Sequence, residues 1–306
     1  MSDVPERVGF EDVARIEEGT AVLRQEDYRA GGGACRDAAV ASAQWHDRLL
    51  DARATHAVRV RLLVALADAH NLAAWTCFDT GVNQAAGRHW ARALELATEA
   101  GHDDLAANIH YRTGRLHLHR GACDDALLEF DRGAAVAVSA HSKAILHVNQ
   151  AWAHAAVGNV RPALECLRRA HDQFDRASEV ADWARFFDGT DLTAMTGVVH
   201  TELARTVDRA HSATAIRLLT AAAAGYGPNM ARSRALSLIA LTTNHLLAHD
   251  FDEAASVCEE ALEASRGIGS TRLADRLAPV RGLAMQHREN ADAAGVAARV
   301  DAFVRD

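Results

Sequence analysis

One spacing recurs along this chain and limits what it can fold into. Glycines at 81, 121 and 158 are each followed five residues later by an alanine (Ala86, Ala126, Ala163). Seven residues further on comes another small residue: Ala93, Gly133 and Ala170. The glycines lie 40 and then 37 residues apart. Apolar residues on both sides recur at helical spacing, so each unit reads as helix, glycine turn, helix. Small residues are needed where the second helix crosses close to the first. A fourth, weaker copy carries Ala254 and Ala261 in the same two places. Breaks such as "RAGGGAC", "EAGHDD", "FDGTD" and "GIGST" divide the whole chain into about a dozen helices with short connections. Only four prolines and 5% aromatic residues accompany abundant alanine, a composition that suits closely packed helices.

The repeat is the tetratricopeptide pattern. It predicts an all-α, right-handed superhelical solenoid of helix pairs, one array over 1–306. Within it, irregular N-terminal helices are expected over 11–53 and the clearest repeats over 65–176. The stretch 186–225 fits the pattern poorly and reads as a longer, irregular unit; a repeat and cap follow over 230–306. The segments "DYRAGGGACRDAAVAS", "LADAHNLAAWTCFDTG", "NIHYRTGRLHLHRG", "FFDGTDLTAMTGVVHTELA", "GYGPNMARSRALSL" and "STRLADRLAPVR" resemble one family. It is the tetratricopeptide portion of streptomycete-type, Xre-class transcriptional regulators, and the likeness runs from about Val13 to Phe303. Such regulators carry an N-terminal helix-turn-helix domain, and this chain starts about where that domain would end. The resemblance therefore implies the sensor or interaction half of a regulator, or a free-standing relative recruited to another task.

In a stacked array the first helix of each pair lines the concave face. Counting from the turn places Asp68, Asn71, Trp75 and Phe78 inward in the first unit. The second contributes Asn108, Tyr111, Arg115 and Leu118. The third contributes Ile145, Val148, Trp152 and Ala155, with Asn149 beside them. Aromatic bodies with a few polar fixers are the make-up of a ligand pocket; the competing reading is a solvated face with incidental aromatics.

Histidines form a ladder. His70, His110 and His147 share one position in successive units, and His117 and His154 share another. In tetratricopeptide repeats these positions hold large packing side chains, so the rings are expected to be half-buried and hydrogen-bonded between helices. A metal would need converging ligands, and parallel rungs roughly 8–10 Å apart do not converge. No metal and no cofactor are expected. Asp188 and Asp191 precede a helix, where capping is the simplest use of a carboxylate. Alternatively Asp191, His200 and Glu202 project into the groove, although Asp191 and His200 are nine residues apart and do not share a helix face. "GGGACRD" lacks the Lys-Ser/Thr of a phosphate loop, and "GIGSTR" reads as a loop before a helix.

The net charge of −8 argues against a nucleic-acid-binding face. No apolar run reaches the ~18 residues of a membrane span. The opening residues lack a secretory core segment, and five scattered cysteines read as reduced thiols, so a cytoplasmic location is expected. The leading expectation is a module that binds a small molecule or a peptide in its concave groove. The alternatives are a stand-alone biosynthetic enzyme using the same pocket through His and Asp residues, and a scaffold for another protein.

Overall fold

Buried residues occur on most sides of the first helix of each repeat and in a narrower stripe on the second. That difference sets up two layers. The computed structural model describes residues 5–305; residues 1–4 and 306, the outermost ends of the expected array, lie outside the described residues. The described residues are helices and connections, with one isolated bridge between Arg7 and Arg53. Fourteen α-helices occur among them: α1 (Phe10–Ala30), α2 (Arg36–Asp47), α3 (His56–Asp79), α4 (Asn83–Glu99), α5 (Asp103–His119), α6 (Cys123–Val136), α7 (Ala140–Ala156), α8 (Val160–Phe174), α9 (Gly189–Thr206), α10 (His211–Gly225), α11 (Ala231–Leu247), α12 (Phe251–Ser265), α13 (Thr271–Met285) and α14 (Ala291–Arg305). Pairs α3/α4 to α13/α14 pack in succession, as an all-α solenoid of helix pairs requires. None of these helices is long and apolar enough to cross a membrane.

The first helices form the inner layer. In α3 nearly every residue from Leu62 to Asp79 is buried, whereas α8 buries only Ala163, Leu167 and Ala170. The turn glycines Gly81, Gly121 and Gly158 sit at φ 77°, 75° and 76°, where a side chain is strained. In the fourth copy the same place, five residues before Ala254, is taken by His249 at φ 63°. Its ring packs against Phe251 and His287, with centroids 5.6 and 4.8 Å away, and accepts an N–H from Arg209 at 2.7 Å. These contacts offset the cost, about 1–2 kcal/mol, of a left-handed residue with a Cβ.

The segment 186–225 is more regular than its sequence suggests. It forms an ordinary pair, α9/α10, with Ala215 and Ala222 buried seven residues apart as in the other units. What differs is the missing turn glycine and a longer lead-in over 175–188. The close crossing that calls for small residues is visible at Gly114, where an added Cβ would drive into the fully buried Phe130 ring. Gly114→Ala is expected to destabilise the protein by about 1–3 kcal/mol. An unchanged urea midpoint would mean that α5 and α6 are less tightly locked than this.

The array does not stay open. α1 packs on α3 and also on α11, so its N-terminal end meets its C-terminal part. The loop at Gly31–Gly33 lies against the loop at Ile268–Gly269. Gly33 N–H donates to Gly269 O at 2.8 Å, and Gly269 N–H donates to Ala30 O at 2.9 Å. A Cβ on Gly33 would sit 2.9 Å from that carbonyl oxygen. Beside the backbone clasp, Arg232 grips Asp27 with both terminal nitrogens (2.8 and 3.0 Å) and reaches Asp79 at 2.8 Å. Asp79 also accepts from Gly32 N–H, Ser270 Oγ (both 2.8 Å) and Arg272 (3.3 Å). Burial pushes the Asp79 carboxyl up, but Arg232 and Arg272 outweigh this and hold it below the usual carboxylate range. The two glycine-rich stretches that read as plain loops are the two halves of a clasp.

Candidate functional site

Closure turns the concave groove into a partly open chamber of about 550 Å³. Its wall includes Trp75, Tyr111, Arg112 and Arg115 from α3 and α5, and Asn149 and Trp152 from α7. Phe186 and Phe187 come from the connection before α9. Asp191, Thr201 and Glu202 come from α9, Arg232 and Thr243 from α11, and Arg272 and Arg276 from α13; Tyr28 of α1 and Tyr226 complete the ring.

Seven residues expected in the groove line this chamber: Trp75, Tyr111, Arg115, Asn149, Trp152, Asp191 and Glu202. Trp75, Arg115 and Trp152 each lie six residues before the turn residue of their unit. The equivalent residue in the fourth copy, Thr243, faces the chamber too. That register is the most reliable sequence signal of the site.

Ten other expected residues are elsewhere, among them Leu118, Ile145, Val148 and Ala155, which are buried in the core. Asp68 is covered by α1 and pairs with Arg24 at 2.5 Å. Asn71 and Asn108 are buried between units: Trp90 Nε1–H donates to Asn71 Oδ1 (3.2 Å), and Asn71 Nδ2–H donates to Asn108 Oδ1 (3.0 Å). These amides bond one another across neighbouring helices and do not line the chamber. Phe78 is core, packed on Trp75, Trp90 and His119. Asp188 is the N-cap of α9, accepting from the N–H groups of Thr190 and Asp191. His200 faces α10, its Nδ1 3.0 Å from that of His211. Burial, with His211 and Arg217 nearby, lowers its pKa to about 4, so it is neutral at pH 7.

Three of the five ladder histidines are hydrogen-bonded within or between helices, while the Nδ1 of His154 is buried without a partner. His70 lies 2.8 Å from His89 and 3.3 Å from Asp47; His110 bonds Glu129 and His147 bonds Gln150, both at 2.8 Å. Among the described residues, no three His, Cys, Asp or Glu side chains converge as metal ligands would.

The chamber is strongly cationic in a chain of net charge −8. Seven arginines line it (Arg112, Arg115, Arg205, Arg209, Arg232, Arg272, Arg276) against two carboxylates, Asp191 and Glu202. Most of them stack on two indoles. Trp75 carries Arg112, Arg272 and Arg232 at 4.9, 5.0 and 5.8 Å from its ring centre. Trp152 carries Arg115 and Arg276 at 4.4 and 4.9 Å. Such cation–π contacts contribute about 0.5–2 kcal/mol each and hold the guanidinium planes in place. Burial lowers the pKa of Arg115 to about 9, with Arg272 and Arg276 adding repulsion. Burial also lowers Arg112 and Arg276. All remain cations at neutral pH.

Asp191 behaves in the opposite sense. It accepts a hydrogen bond from Tyr226 Oη at 3.1 Å. Burial, reinforced by the Asp188 charge, raises its pKa to about 8, so it is largely protonated at pH 7. A carboxyl that folds neutral and unfolds ionised contributes stability that is complete at low pH and is lost as pH rises through about 8. Asp191→Asn is therefore expected to gain on the wild type between pH 5 and pH 8, by roughly 1 kcal/mol or more. Urea midpoints of both proteins across that range check this; a constant difference would mean that Asp191 is ionised throughout.

Sequence reasoning missed Arg112, Arg232, Arg272, Arg276, Tyr226 and Phe186. One local signal was present: Arg272, Arg276 and Pro279 recur on one face of α13, and all three line the chamber. Comparison with known protein families and with curated proteins finds no match for this chain.

Proposed function

We propose that this protein is a receptor module that holds a small molecule in its central chamber, as the sensing half of a regulator would. The observation that carries this reading is the chamber itself. It offers about 550 Å³ walled by aromatic rings with a few fixed polar groups, the size and make-up of a small-molecule site. A compact ligand fits this reading better than an extended peptide, which would need the clasp opened along its length. The regulatory role rests on the resemblance to Xre-class regulators. The five free thiols suit a reducing, cytosolic setting.

The test is native mass spectrometry of the purified chain, with Trp152→Ala and Trp75→Ala alongside. A bound small molecule of constant mass is expected in the wild type, and its occupancy should drop at least about tenfold in the variants. Equal occupancy in all three would sink the chamber assignment.

A second reading has one observation in its favour. Asp191, neutral at pH 7 and bonded to Tyr226 inside the chamber, is a candidate general acid. A stand-alone enzyme would turn its ligand over, and the mass bound to Asp191→Asn would then differ from that bound to the wild type. A receptor would carry the same mass in both.

A further inference from the structure

Three of the chamber's arginines have no carboxylate within ion-pairing distance, although Glu202, already paired with Arg205 and accepting from Trp152, lies close enough to attract Arg276. Arg232 and Arg272 are engaged by Asp27 and Asp79, Arg205 by Glu202 at 3.1 Å, and Arg209 by His249. Arg112 is buried, yet its Nε has no partner and Nη1 reaches only the Asn71 carbonyl at 3.4 Å. Arg115 donates to the Asn149 amide oxygen at 3.2 Å and lies 3.8 Å from the Met195 sulfur. Arg276 rests on Trp152 with no hydrogen-bond partner among the described residues. Two like charges held against one indole, with a third nearby on Trp75, are costly to enclose unless something of opposite charge enters.

We propose that the ligand is an organic anion: a flat, unsaturated body lying among the aromatic rings, with a carboxylate, sulfonate or phosphate head held by Arg112, Arg115 and Arg276. This rests on the receptor reading above. The guanidinium fork matches a planar two-oxygen head, and stacking on Trp75 and Trp152 fixes the forks before the ligand arrives. A cationic ligand would meet uncompensated repulsion. A neutral one would leave the three cations unanswered. Asp191 and Tyr226 do not oppose the anion, because this carboxyl is held protonated.

Two fluorescent probes share one body and differ in charge: 8-anilinonaphthalene-1-sulfonate and the neutral N-phenyl-1-naphthylamine. The sulfonate is expected to bind once per chain and about tenfold or more tighter than its neutral counterpart. In the Arg115→Gln/Arg276→Gln variant, which leaves only Arg112 of the three, that preference should fall severalfold. Arg115→Lys/Arg276→Lys, which keeps both charges, should retain part of the preference and shows that the loss is one of charge. Circular dichroism confirms that each variant is folded. If the two probes bind the wild type equally well, or the Gln variant keeps the full preference, the anion assignment is wrong while the receptor reading stands. If neither probe binds the wild type, both fall together.

Discussion

Asp79→Ala should lower the stability of this protein by about 3–5 kcal/mol, more than any other single change to a polar residue described above. The Asp79 carboxylate is fully buried at the C-terminal end of α3 and accepts four hydrogen bonds, from Gly32 N–H, Ser270 Oγ, Arg232 and Arg272. Removing it leaves Arg272 without a carboxylate and the Gly32 N–H without an acceptor. Arg232 keeps Asp27. The loss arises from charges left unpaired rather than from the attraction alone, so Asp79→Asn should cost nearly as much despite its shape. Urea denaturation of the three proteins measures this. A loss below about 1 kcal/mol would mean that the clasp is solvated in solution. Because the folded-state pKa of Asp79 is depressed, its contribution is present above pH 4 and lost only as the solution becomes strongly acidic.

Arg112→Met should do the reverse and raise stability, by about 1–4 kcal/mol. Arg112 is buried, its Nε is unsatisfied, and no carboxylate lies within ion-pairing distance of it. Methionine fills similar space and keeps a favourable contact with the Trp75 ring. The stacking lost with the guanidinium is worth less than the desolvation relieved. The same change should weaken binding of the anionic probe, so stability and affinity move in opposite directions, as at sites shaped for a ligand rather than for the empty fold. A variant less stable than the wild type would show that Arg112 is satisfied by the chamber's own groups, and would remove one of the three cations from the anion assignment.

What could be read from the sequence was local. The Gly–Ala spacing marks each turn and each close crossing, and it placed α3 to α8 and the fourth copy. The residue six before the turn faces the chamber at Trp75, Arg115 and Trp152, and at Thr243 as well. Helical counting blurs at the neighbouring positions. A rotation of about 100° per residue separates a chamber residue from one between units, and Asn71 and Asn108 fell on the wrong side of that line. What the arginines of α13 and the two glycine loops meet could not be read from the sequence. Their meaning depends on contacts such as Arg232 to Asp27, 205 residues apart. Periodicity carries no information at that range. The longer lead-in before α9 likewise brings Phe186 onto Tyr111, with ring centroids 5.9 Å apart, by a path that no repeat spacing encodes.

Meeting end to end changes how such an array comes apart. An open row of repeats has two free ends, and each terminal unit is held on one side only, so melting spreads inward by fraying. Here α1 is held by α3 on one side and α11 on the other. The N-terminal helix therefore cannot peel away without first breaking the Asp27–Arg232–Asp79 contacts. Those contacts join the most distant parts of the chain, so they are the slowest to form and belong to the end of folding rather than its nucleus. Loss of structure at the N-terminal side should then be an all-or-none event instead of a gradual retreat.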